Sequence, residues 1–211
     1  MSGQPWVLAT RNAGKLRELR PLFAEAGIRV IDLREAGIVE SADEEAVEAF
    51  ETFEENALAK ARWFAGRANG RPVIADDSGL VVDALGGEPG VRSRRWSGRT
   101  DLSGKELDAA NNELLLRRMD GVLDRRARFV CATAWCDGSR EVVMRGEVEG
   151  DIVQEHEVSG VHGFGYDPLF RARELGMTLG EATVAEKQSV SHRGRAFTKL
   201  VKALRQLTGT V

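Results

Sequence analysis

The sequence predicts an α/β core carrying a second, antiparallel lobe. Two observations predict it. In the first half, short apolar runs alternate with stretches of helical periodicity, and in the second half two long β-rich runs follow one another across a short turn. A third observation bounds the answer: 211 residues with a formal charge of -3 suit one domain with a sizeable buried core. A single domain over residues 1–211, with no linker, is therefore expected.

Each element follows from its own residues. WVLA, beginning at Trp6, reads as a short buried strand. GKLRELRPLFAEAG follows as an amphipathic helix, with Leu16, Leu19 and Phe23 on one face and Gly27 as its stop. IRVID is a second strand. Between Glu40 and Glu55 lie eight carboxylates and no Lys or Arg, and Val47, Phe50, Ala57, Leu58, Ala61 and Phe64 recur at helical spacing. One long helix with an acidic first half is predicted. PVIADDSGLVVDAL offers a strand, a polar interruption at Asp76 to Gly79 and a second strand, while GGEPGVRSRRWSGR reads as loop. SGKELDAANNELLLRRM is a helix capped by Ser103, with Glu106 completing a capping box. RARFVCATAWC and REVVMRGEVEGDIV, joined at DGS, form a hairpin. Within the first of these runs Cys131 and Cys136 are five apart, which puts them on opposite faces of a strand, and free core thiols are expected. TVAEKQSVSHRGRAFTKLVKALRQL is mostly helix, with Phe197, Leu200, Val201 and Leu204 inward.

Composition narrows the partners. A pI near 5.8 argues against a nucleic-acid footprint, so the partner is expected to be small. No run approaches the roughly 18 apolar residues that span a bilayer, and MSGQPWVLAT has neither a basic start nor an apolar core. A cytoplasmic protein with no membrane contact is expected.

Four stretches carry candidate chemistry. In TRNAGK, Thr10 and Asn12 offer side-chain hydrogen bonds, Gly14 permits close backbone approach, and Lys15 opens a helix whose amides point outward. That suits a polyphosphate, although a capped βα loop has the same pattern. It is not a P-loop, because Leu16 lacks the hydroxyl that would meet magnesium. In ADDSG, at least one carboxylate falls at a strand end, where α/β sheets place ligands, and a plain turn is the other reading. Magnesium takes one or two protein carboxylates with water and phosphate oxygens, so a carboxylate from the acidic run around Glu48 together with Asp77 would suffice. Most of that run also suits a solvated helix face. In GFGYDP, Phe164 lies between two glycines and Tyr166 follows one, and such a ring stacks on a base for about 1 to 3 kcal/mol, with Asp167 addressing the base edge. Core packing is the alternative. In KQSVSHRGRAF, Lys187, His192, Arg193 and Arg195 form a basic cluster at a helix start, or a solvated helix end. Trp96 with Arg92, Arg94 and Arg95 makes a further basic loop. Phosphate, metal, base and cation sites together suit a nucleoside triphosphate.

The ordered set LATRNAGKLREL, TFEENALAKA, ADDSGLVVDALGGEPGV, GFGYDPLF and EKQSVSHRGRAF closely resembles the inosine triphosphate pyrophosphatase family, over nearly the whole chain. The resemblance implies an Mg2+-dependent hydrolase that converts ITP, dITP and XTP to the monophosphate and pyrophosphate, clearing deaminated purines from the nucleotide pool. It implies a homodimer of elongated α/β subunits, each with a mixed sheet, flanking helices, an antiparallel lobe and an active-site cleft between lobes. The family's phosphate loop falls on Thr10, Arg11, Asn12, Ala13, Gly14 and Lys15, and its catalytic aspartate on Asp77, with Ser78 beside it as a substrate contact. Its metal-binding glutamate falls on Glu48, with Glu45 and Glu51 as neighbouring candidates, and Asp77 shares the metal. Its base-binding segment falls on Phe164, Gly165, Tyr166 and Asp167, and further substrate contacts on Lys187, His192 and Arg193. Lys60 is a possible further phosphate contact. Two rival functions stand beside this one: a pyrophosphatase of pyrimidine or modified nucleotides, and a nucleotide-binding module that does not hydrolyse.

Overall fold

The computed structural model describes residues 4–154 and 163–208. Seven strands, β1 (Trp6–Leu8), β2 (Val30–Asp32), β3 (Val73–Val82), β4 (Arg126–Cys136), β5 (Glu141–Ile152), β6 (Phe170–Ala172) and β7 (Met177–Thr178), form one mixed sheet in the order β2-β1-β3-β4-β5-β6-β7. β1 pairs in parallel with β2 and β3, whereas β5, β6 and β7 pair antiparallel. The helices are α1 (Ala13–Glu25), α2 (Phe53–Ala65), α3 (Gly104–Arg118), α4 (Val184–Ser189) and α5 (His192–Thr208). The α/β class, the mixed sheet and the flanking helices are as the sequence predicts. The chain divides into two compact units: one holds the described residues up to Asp77 with 131–146 and those from Arg193 onward, the other holds 78–130 and the described part of 147–192.

In the first unit, Trp6 and Leu8 of β1, Ile74 of β3 and Trp135 of β4 make an apolar face. Leu19 and Phe23 of α1 and Phe197, Leu200, Val201 and Leu204 of α5 cover it, with the Phe23 and Phe197 rings edge to face. α1 begins where Asn12 accepts from the amides of Gly14 and Lys15, and Gly27 at φ +70° follows its end. α2 buries Phe53, Ala57, Ala61 and Phe64.

Three local predictions are corrected. The long acidic helix does not form: Ala42–Val47 is a short 3-10 turn capped by Ser41, and α2 starts afresh at Phe53, capped by Thr52. The reason is side-chain competition for backbone groups. Thr52 Oγ1 accepts from Glu55 N at 3.2 Å, and the Asn56 amide bonds both the N–H and the carbonyl of Phe50 at 2.9 and 3.1 Å. β3 runs without interruption through Asp76, Asp77, Ser78 and Gly79, because partners elsewhere in the chain outweigh the turn preference of these residues. Ser103 occupies the cap of α3, but its side chain makes no capping hydrogen bond, so that capping box is absent. The terminal helical run is as predicted save for a break at Val190 and Ser191, and both cysteines are free and buried.

The second unit packs Leu80, Val82, Leu115, Met119, Val148, Ile152, Leu169 and Phe170 into its own core. There Gly150 of β5 lies opposite Ala172 of β6, and a methyl at Gly150 would collide with the Arg171 carbonyl oxygen and the Phe170 ring. Overpacking against a backbone carbonyl has no soft neighbour to yield. Gly150→Ala is expected to cost at least about 2 kcal/mol, a fall of about 4–8 °C in the thermal midpoint. An unchanged midpoint would show that β6 gives way freely. Among the described residues no helix is long and apolar enough to cross a membrane.

Candidate active site

Successive residues of a strand point to opposite faces, and β3 thereby separates two adjacent carboxylates. Asp76 follows Ile74 onto the side covered by α1 and α5. Lys15 Nζ lies 2.7 Å and Arg193 Nε 3.6 Å from its Oδ2, and the Cys131 thiol is 3.9 Å away. Asp77 turns to the other side, where Asn56 Nδ2 of α2 donates to its Oδ2 at 3.1 Å. One helical turn beyond Asn56, Lys60 donates to the Asp76 carbonyl at 3.0 Å and pairs with Glu48.

The two aspartates are driven apart electrostatically. Burial alone would raise the Asp76 carboxyl, but Lys15, Arg193 and Lys60 outweigh it and hold the group at about 2. Burial raises Asp77, and the opposing pull of Lys60, Lys15 and the Asn56 hydrogen bond does not cancel it. Burial, with Lys15 nearby, brings the Lys60 ammonium down to about 8. One carboxylate is thus fixed in its charged form, while its neighbour binds a proton more readily than a free aspartate.

In the loop from Thr10 to Lys15, Asn12 already satisfies the Gly14 and Lys15 amides, at 2.8 and 3.2 Å. The cationic group this loop presents is the Lys15 ammonium, which has three donors, one of them directed at Asp76. Thr10 Oγ1 accepts from Asn12 N, and the Arg11 guanidinium is bidentate to Glu44 at 2.8 and 2.6 Å. Ala13 is exposed and Gly14 half-buried. Ser78 is half-buried on β3, Glu51 is exposed, and the Glu45 side chain lies outside the described residues.

In the second unit, the two aromatics of GFGYDP part company. Tyr166 is buried, its hydroxyl donating to the Ser93 carbonyl at 2.8 Å, whereas Phe164 is 41% exposed. The turn carrying Phe164 is framed from several sides. Asp167 Oδ2 accepts from Phe164 N at 3.0 Å and from Lys187 Nζ at 3.1 Å. Asp108 accepts from Gly165 N, and Asn112 donates to the Gly165 carbonyl. His192 stacks on Phe129, with ring centroids 5.1 Å apart.

The sequence profile of the Ham1 family matches residues 6–203. The chain belongs to the Ham1 family. A relative named dITP/XTP pyrophosphatase from Frankia alni is 48% identical over 205 residues, spanning 95% of this chain and 97% of that protein. One of the same name from Mycobacterium tuberculosis is 49% identical over 203 residues, 95% of each chain. The solved structure of the Staphylococcus aureus Ham1 protein aligns at a TM-score of 0.81 and 35% identity, covering 96% of this chain and 99% of that one. A nucleoside-triphosphatase / dITP/XTP pyrophosphatase from Mycobacterium abscessus aligns at 0.72 and 40%, covering 93% and 98%.

Several residues that hold these candidate groups in place, within one unit or the other, escape a linear reading. Asn56 orients Asp77, and its signal is present in the sequence: Asn56 and Lys60 are two polar residues at i, i+4 on a helix that is otherwise apolar on that side. Asp108 and Asn112 repeat the same spacing on α3 and hold the Phe164 turn. The separate placement of Asp76 follows from strand alternation once the strand is known to be continuous.

Proposed function

We propose that this Ham1 chain hydrolyses deaminated purine nucleoside triphosphates, namely ITP, dITP and XTP, to the monophosphate and pyrophosphate. Relatives named for dITP/XTP pyrophosphatase activity match it at 41–49% identity over at least 95% of the chain. The observation supporting the chemistry is Asp77: buried, oriented by Asn56, raised toward protonation, and acted on by the ammonium groups of Lys15 and Lys60.

The donor set fits a hard divalent cation. Burial disfavours the Asp77 charge, so that carboxylate would gain from one, and Glu48 lies in reach of the same lysine, Lys60, that acts on Asp77. Among the described residues no three His, Cys, Asp or Glu side chains gather, and Mg2+ needs only one or two, the rest of its shell being water and phosphate oxygens. Glu48 and Asp77 would hold it. When bound, Mg2+ supplies charge neutralisation at the phosphates and helps orient the attacking water.

The chain's own residues do the rest. Asp77 takes the proton from a water whose oxygen bonds to the α-phosphorus; the α–β anhydride bond breaks, and pyrophosphate leaves with the electron pair, held by Lys15. The proton then passes from Asp77 to solvent. Lys60 orients Glu48, and the loop from Thr10 to Lys15 with Ser78 contacts the phosphates. Phe164 stacks on the base, in a turn kept in shape by Asp167, Lys187 and Gly165, and His192 stands at the start of α5. The enzyme acts as a homodimer in the cytoplasm.

Pyrophosphate release across ITP, dITP, XTP, ATP, dTTP and UTP tests the proposal. Turnover confined to pyrimidine nucleotides would replace it, and tight ITP binding without release would make the chain a binding module. Glu48→Gln is expected to lower turnover less than loss of Asp77 and to be partly restored by raised magnesium. An unchanged magnesium dependence would move the metal role to Glu45 or Glu51.

A further inference from the structure

The loop lysine does not stand alone on its helix. Three residues after Lys15, one turn along α1, Glu18 Oε2 lies 2.6 Å from an outer nitrogen of Arg193, at the head of α5. The same guanidinium presents Nε to Asp76 Oδ2, the oxygen that also meets Lys15. Charges therefore alternate along one path: Glu18, Arg193, Asp76, Lys15. Arg193 and Asp76 are buried, while Glu18 reaches the surface.

We propose that Glu18 and Arg193 are positioning residues for Lys15, acting through Asp76. This rests on the reading above that Lys15 holds phosphate. A lysine side chain has four rotatable carbons and a compact head group with no preferred fork geometry, so its ammonium needs an external anchor. Asp76 is that anchor, and a lone buried carboxylate would itself swing or would bind Lys15 as a closed pair. The planar guanidinium of Arg193 prevents both, because it faces Asp76 with one edge and is gripped at another by Glu18. With the Asp76 charge shared between two cations, Lys15 is held in place without being neutralised, and its remaining donors serve the incoming pyrophosphate group.

On this assignment Arg193 works through the phosphate end of the substrate and does not read the base. Losing the path then weakens all nucleotides alike. Arg193→Met tests this directly but risks misfolding, since it leaves Asp76 buried beside one cation. Glu18→Gln is the safer probe: Glu18 is partly exposed, and glutamine still offers Arg193 an oxygen without the charge. With Mg2+ present, binding of inorganic pyrophosphate by calorimetry is expected to weaken about tenfold in Glu18→Gln. kcat/KM should fall by a like factor for ITP and for ATP, leaving their ratio unchanged. In a Lys15→Met background the Glu18→Gln change should have no further effect, because the group it positions is gone. A purely structural role would lower the thermal midpoint and persist in that background.

Three results would overturn the inference: unaltered pyrophosphate binding in Glu18→Gln, a narrowed ITP-to-ATP ratio, or losses that simply add to those of Lys15→Met. Failure of the functional reading looks different, since wild-type protein would then neither bind pyrophosphate nor release it from ITP.

Discussion

Asp77→Asn is expected to abolish nearly all turnover while ITP still binds. The substitution keeps the size of the side chain and its contact with Asn56 Nδ2 through the remaining oxygen, but removes the negative charge and the basic oxygen. An amide cannot take the proton from attacking water, and it is a poor partner for a divalent cation. Loss of both contributions should exceed a thousandfold, about 4 kcal/mol in barrier height. Retention of more than about a tenth of the activity, a change below roughly 1.4 kcal/mol, would show that another group is the central base. Equilibrium binding of ITP to the inactive variant separates this from unfolding: a variant that neither binds nor turns over would say nothing specific about proton transfer, whereas one that binds at wild-type strength isolates the chemical step.

ITP and XTP are expected to be hydrolysed at least about a hundredfold more efficiently than ATP. A 6-oxo group accepts hydrogen bonds, whereas the 6-amino group of adenine donates them. Donors arranged for the first are left unpaired by the second, at roughly 1 to 3 kcal/mol for each buried group, so two such groups account for the whole ratio. Stacking on Phe164, as proposed, would contribute affinity to every purine and no discrimination, which makes Phe164→Ala a useful control: both nucleotides should weaken together. GTP shares the 6-oxo group, and its rejection requires the 2-amino group to meet a wall or an unsuited partner. Comparable turnover of GTP and ITP would locate all discrimination at the 6-position. A ratio near one for ITP over ATP would remove base reading from the function altogether.

Much of this was legible in the sequence because the relevant signals are local. Apolar periodicity marks α1 and α5, and the Asp137–Arg140 turn between two β-rich runs marks the β4–β5 hairpin. The failures have a common physical cause. Asp76 to Gly79 looks like a turn by composition, and only Lys15, Arg193 and Asn56, contributed by three separate helices, make the extended conformation pay off for two buried carboxylates. In the acidic segment, apolar spacing suggests one helix, but Thr52 and Asn56 divert the backbone hydrogen bonds that helix would need. Phe164 and Tyr166 both adjoin Gly165, and nothing local tells that Tyr166 will find the Ser93 carbonyl 73 positions away. The pair of Glu18 with Arg193 spans 175 positions and leaves no trace in either neighbourhood.

The alternation along β3 sets a parity rule for how this strand can change length over evolutionary time. Its register is pinned by the pairing of Val7 with Val73 and Leu8 with Ile74, so the loop before Val73 can grow or shrink without disturbing what lies beyond. Inside the strand the arithmetic differs. Loss of one residue between Ile74 and Asp76 would turn Asp77 toward Lys15 and Ser78 toward Asn56, leaving every functional group in the chain yet none opposite its partner. Loss or gain of two residues would restore the facing, at the expense of a shift of about 7 Å along the strand. Homologues should therefore vary freely in length before β3 and not at all by single steps within it.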